Sequence, residues 1–198
     1  MTLTQEPSAF ELSPRAAWSQ RVRKVGGFIQ LAFAAFWLVR GGLSITGITG
    51  TVLAAAGIVV SIAVLGYAIR ATAGVGGRPT SAAAKRIERS VSIATVVELV
   101  ASFAFPVIVI TAGHSDWVLP SIAITIGPLL LWLDHLVDIP RFRLVGWALT
   151  VVPFILVVVM SGSALAATTG LGAGVLLLAT ATAGFKDLSD LHRESRHG

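Results

Sequence analysis

The chain has 198 residues, of which 55% are hydrophobic and 13% charged, with a mean hydropathy of +0.83. Soluble domains carry roughly 25% charged residues, so a water-soluble globule is excluded and a single domain buried largely in lipid is expected. The absence of cysteine removes disulfides, thiolate nucleophiles and Cys-ligated zinc or iron–sulfur centres, and the net charge of +5 is distributed in a way that argues for a membrane rather than for nucleic acid.

Residues 1–24 are polar, with Glu6, Pro7, Glu11 and Pro14. They lack the basic start and immediate apolar stretch of a signal peptide, and read as a cytoplasmic tail with Trp18 at the interface. Six apolar runs follow, at 25–44, 46–69, 91–112, 118–138, 142–161 and 164–185. Each is near the ~20 residues that cross a ~30 Å hydrocarbon layer. None alternates as a barrel strand would, so the expectation is an all-α membrane protein: six transmembrane helices in one bundle over 25–185, built as three tight hairpins. The segment 70–90, with Gly74, Gly76, Gly77 and Pro79, is the longest link and turns helix-like at its end. The opposite links, near Gly41–Gly42, at 113–117 and at 161–163, are short. Residues 186–198 read as a second cytoplasmic tail.

The basic residues set the orientation. Arg15, Arg21, Arg23 and Lys24 precede the first run. Arg70, Arg78, Lys85, Arg86 and Arg89 lie between the second and third, Arg141 and Arg143 between the fourth and fifth, and Lys186, Arg193 and Arg196 after the sixth. Only Arg40 falls elsewhere. This positive-inside pattern predicts a multi-pass protein of the inner (plasma) membrane with both termini in the cytoplasm. Arg40 is expected to snorkel or to pair with Asp116.

Two acids stand inside apolar runs. At ~1.5 Å per residue, Glu98 lies about 12 Å past the boundary near Arg89–Ser90, and Asp134 about 6–10 Å inside that at Pro140–Arg141. Carboxyls at such depth are costly and usually functional. In a low-dielectric setting Glu98 is expected to keep its proton at neutral pH and to act as a general acid. The alternative is a neutral Glu98 that bonds a neighbouring helix as packing glue. Gln30, Trp132 and Trp147 come out at similar depth and Tyr67 slightly shallower, which suggests a substrate-binding level in the inner half of the bilayer. Trp37, Trp132 and Trp147 can face a cation or anchor the interface. Asp138, four residues after Asp134, is expected to pair with Arg141 or Arg143. The run Asp134–His135–Leu136–Val137–Asp138 has the aspartate spacing of magnesium-diphosphate sites, but only one copy is present, and no metal or other cofactor is expected. His114, Ser115 and Asp116 are too close in sequence to form a nucleophilic relay. Ala166, Gly170 and Gly174 form a small-residue stripe that suits close packing within the chain or a homodimer seam.

With these residues in view, the chain resembles the small integral-membrane terpene cyclases of fungal meroterpenoid and bacterial indole-sesquiterpenoid pathways. The resemblance rests on size, the all-helical membrane body, the lack of the aspartate-rich cyclase motifs and the separated acids Glu98 and Asp134. It implies acid-initiated cyclisation of a farnesylated aromatic such as a 3-farnesylindole or its epoxide. One of Glu98 and Asp134 would donate the proton and the other accept it, while aromatic walls shield the cation. A proton-coupled transporter or small channel titrating at Glu98, and a non-catalytic membrane interaction protein, are the competing expectations.

Overall fold

The computed structural model describes residues 22–73 and 82–197; the expectations for residues 1–21 and for 74–81 of the 70–90 link lie outside them. A π-helical turn (Val22–Gly26) leads into α1 (Gly27–Leu43), followed by α2 (Ile48–Ala71), α3 (Ala82–Thr111), a 3-10 turn (Ser115–Trp117), α4 (Val118–Val137), α5 (Pro140–Val159) and α6 (Gly162–His197). No strand occurs among the described residues. All six helices are long and apolar enough to cross a membrane. The chain is an all-α, multi-pass membrane protein, and the expected six-helix bundle is observed.

Three of the links meet at one end of the bundle, and each turns on a glycine with positive φ: Gly47 before α2, Gly113 after α3 and Gly162 at the start of α6. Only a residue without Cβ takes that conformation cheaply. The other end, which carries the first and last described residues, joins α4 to α5 through Asp138 at φ 53° and Pro140 at the first turn of α5. A proline is well placed there because its missing N–H would have had no helical partner.

The strongest packing is not within the hairpins. α6 packs most extensively on α1, and α4 on α5, whereas α5 and α6 touch little despite their short link. Small residues decide these crossings. A Cβ on Gly170 would stand 2.5 Å from the Gly41 Cα, and one on Gly41 would stand 2.5 Å from the Leu171 nitrogen. Gly127 and Gly146 bring α4 and α5 together in the same way. The stripe at Ala166, Gly170 and Gly174 is thus occupied within the chain. The core between these layers holds Ala34 and Trp37 of α1, Ala123, Ile126 and Leu130 of α4, Val145 and Leu149 of α5, and Ala173 and Leu177 of α6.

α6 runs on well past the sixth apolar segment, through the residues expected as a tail. Phe185 and Leu188 are buried, Phe185 packs on Phe28 with ring centroids 5.2 Å apart, and Asp187 accepts from both Arg23 and Arg141. These contacts hold the polar continuation as helix. α3 is the outermost element: it packs on α4 and the 3-10 turn, and no residue of its most apolar window is buried.

Candidate functional site

The least exposed residues of α3 recur at Val91, Ala94, Glu98, Ala101, Ser102, Pro106 and Val109. That three- and four-residue spacing is one helix face, and it is the face α3 turns to α4. Glu98 therefore points into the α3–α4 seam and is half-buried there. Ser102, one turn further along, donates to Glu98 Oε1 at 2.9 Å. The Ser102 Oγ lies 2.8 Å from Thr125 Oγ1 of α4, and Thr125 in turn donates to the Ile122 carbonyl at 2.7 Å. Carboxyl, two hydroxyls and a carbonyl thus form one line across the seam.

Each helix carries a proline next to this line without being broken by it. Pro106 cannot donate to the Ser102 carbonyl four residues back, and Pro128 leaves the Ile124 carbonyl without its helical partner. A carbonyl freed in this way at membrane depth is tolerated where neighbouring groups re-satisfy it. Ser102, Thr125 and the two prolines were not singled out by sequence reasoning. The usable signal was a hydroxyl within one turn of a proline in each of two consecutive apolar runs.

Asp134 is placed elsewhere. It continues the stripe Leu119–Ala123–Ile126–Leu130 on the core face of α4, close to half a turn around the helix from Thr125. It is 6% exposed and accepts from Arg143 Nε at 2.8 Å, while its other oxygen, Oδ1, has no partner. The two acids expected to act as a pair face opposite sides of α4, and the structure does not bring them together. The reason is register: nine residues separate Thr125 from Asp134, which is two and a half helical turns.

The remaining expected site residues divide in the same way. Trp132 lies two turns from Thr125 on the same face of α4, half-buried. The antiparallel register set by Ser102 and Thr125 therefore puts Glu98 at a level between Thr125 and Trp132. Trp147 is 56% and Tyr67 39% exposed on the outsides of α5 and α2. Gln30 is buried on α1, beside Arg23 and Arg141 at the termini end. Trp37 is buried in the core with its Nε1 unpaired.

The expected ion pairs are also redistributed. Asp138 makes no close ion pair with Arg141 or Arg143, although its charge still acts on Arg143 after that of Asp134: it caps α4 in the left-handed conformation, while Arg143 pairs with Asp134 and Arg141 with Asp187. This arrangement does not present Asp134 and Asp138 as a magnesium pair. Arg40 forms no ion pair among the described residues. Asp116 instead accepts from the Gly162 N–H at 2.9 Å, tying the 3-10 turn to the start of α6. His114 stacks on Trp117 with centroids 4.4 Å apart.

No protein-family model matches the chain, and neither a curated protein nor a solved structure is similar to it. Any functional argument therefore starts from the α3–α4 seam itself.

Proposed function

We propose that this is a plasma-membrane protein, with both termini in the cytoplasm, that works through a proton held on Glu98, and that it couples proton movement to transport of a small solute. The observation that carries the reading is a proton count. A serine or threonine hydroxyl owns one proton. The seam has three oxygen pairs at hydrogen-bonding distance, Glu98–Ser102, Ser102–Thr125 and Thr125–Ile122, but only two hydroxyl protons. However these are turned, one pair stays empty. A proton on Glu98 fills the line, with Glu98 donating to Ser102, Ser102 to Thr125 and Thr125 to the carbonyl. Removing it reverses the direction: Thr125 then donates to Ser102 and Ser102 to the carboxylate, and the carbonyl is released. Loading and unloading Glu98 thus reverses the hydrogen bond between α3 and α4 and makes or releases the Thr125–Ile122 contact within α4.

Two further features support transport. The site lies deep within the two spans, and polar and ionisable side chains at such depth commonly mark ion and substrate pathways. The second carboxyl that paired acid–base chemistry requires is turned away and bound to Arg143.

The test uses vesicles that enclose a pH-sensitive dye, carry the reconstituted protein and are given an imposed pH step. Across a panel of small organic solutes, at least one should move protons with wild type and none with Glu98→Gln, whose amide cannot release a proton. Wild-type vesicles that behave like protein-free ones across the panel, or a Glu98→Gln variant that transports as well as wild type, overturn the proposal.

A second reading is acid-initiated cyclisation of a prenylated aromatic that enters from the lipid. It is favoured by the half-buried Trp132 near the Glu98 level, since an indole face stabilises a passing cation. Membranes incubated with a farnesylated indole or its epoxide decide it. A cyclised product lost in Glu98→Gln and retained in Asp134→Asn supports catalysis by Glu98 alone; unchanged substrate with wild type removes the reading.

A further inference from the structure

At the termini end, where α1, α5 and α6 converge, a small cavity is lined by Arg23, Gln30, Arg141, Phe142 and Thr180, among others. Its polar groups do not balance. Asp187 Oδ2 accepts from both Arg23 and Arg141, so one carboxylate faces two guanidiniums and the cluster keeps one positive charge. No other charged side chain lines the cavity. Two N–H donors on its walls, Arg23 Nε and Gln30 Nε2, are buried without an acceptor, and Gln30 as a whole is 8% exposed. Buried donors left without a partner are costly, and the excess here consists of donors and positive charge. Thr180 spends its only proton on the Leu176 carbonyl.

We propose that this cavity binds one chloride-sized anion. Size selects among the acceptors. The cavity volume is about 10 Å³, close to the space that one water-sized sphere occupies. Phosphate, sulfate and a lipid headgroup are too large, which leaves a water molecule or a monatomic anion; chloride exceeds a water-sized sphere and is admitted by a small outward shift of the partly exposed Arg23 and Arg141 side chains. Charge then separates these two. An anion answers the net positive charge and needs only donors, whereas a water accepting from Arg23 and Gln30 must also place two protons of its own. The anion would join α1 to α5 and α6 across a junction that direct contacts complete only in part. The site is independent of Glu98, so the two proposals stand or fall separately.

The test follows thermal unfolding of the full-length protein in detergent, exchanging sodium gluconate for sodium chloride at constant ionic strength. Wild type should gain roughly 3 °C in Tm, saturably, as expected for a ligand well above its Kd on a chain of this size. Gln30→Met removes one donor at similar volume and should lose most of the gain. Thr180→Val removes an acceptor that water would use and chloride would not, and should retain it. Radiolabelled chloride should bind wild type at one ion per chain, which gives an answer even if Gln30→Met fails to fold. A Tm indifferent to the anion, an equal gain in Gln30→Met, or binding well below one ion per chain overturns the proposal and leaves the cavity to water.

Discussion

Glu98 differs from an ordinary intramembrane acid because it adds a third oxygen pair to a line in which Ser102 and Thr125 supply only two protons. In Glu98→Gln the amide can donate to Ser102 as the proposed protonated acid would, so the line across the seam survives. The variant should unfold within about 0.5 kcal/mol of wild type while proton-coupled activity disappears. Ser102→Ala breaks the line in the middle. It leaves Glu98 and Thr125 on separate helices and should cost about 1 kcal/mol, in the range of interhelical hydrogen bonds in membranes. Infrared spectroscopy separates the two effects. Wild type should show the carbonyl stretch of a protonated carboxyl, Ser102→Ala should show it at the higher frequency of a less strongly bonded acid, and Glu98→Gln should lack it. A wild-type spectrum without that band would mean that Glu98 is ionised, and the proton count would fail.

Helix crossings follow a simpler rule, in which backbone approach is limited by Cβ. At Gly170 and Gly41 a methyl group would meet backbone atoms at 2.5 Å, and backbone cannot rotate away as a side chain can. Gly170→Ala should therefore force α1 and α6 apart and cost about 1–3 kcal/mol. Gly172→Ala, two residues on and facing open space, should be neutral or stabilising by about 0.5–1 kcal/mol through helix propensity. Thermal unfolding in detergent measures both, and equal effects would refute the assignment of Gly170 to the crossing. This level of organisation was largely legible in the sequence. The small-residue stripe at Ala166, Gly170 and Gly174 marks an interface by composition alone, and six spans follow from hydropathy. The partner of the stripe was not legible, because any helix of the bundle offers apolar surface and only the three-dimensional arrangement selects α1. The candidate site divided in the same way. The depth of Glu98 follows from counting residues, but its orientation toward Thr125, and that of Asp134 away from it, depend on the register of α3 against α4. Asp187 was hidden for a different reason: a charged residue beyond the last apolar run reads as solvated tail unless the fold folds arginines onto it.

At the scale of the whole molecule the charge distribution and the packing agree. The ion-paired cluster of Arg23, Arg141 and Asp187 and the Asp134–Arg143 pair all lie at the termini end, while the three glycine turns at the opposite end carry few charges. The proposed orientation, with arginine and lysine retained on the cytoplasmic side, would orient every helix at once. In the natural cysteine-free chain, single cysteines report this directly. Ser163, exposed in the first turn of α6, should when changed to cysteine react with a membrane-impermeant maleimide added to intact cells. Cysteine at Arg193, exposed near the other end of the same helix, should react only after the membrane is opened. Cysteine at Ile108, exposed on the outer face of α3, should resist the reagent in both conditions because lipid covers it. The three sites test separate claims. Reversal of the first two would invert the bundle and move the Arg23–Arg141 cavity to the outer surface. Ready labelling at Ile108 in intact cells would take α3 out of the hydrocarbon layer, and with it the requirement that Glu98 find its hydrogen bonds inside the protein.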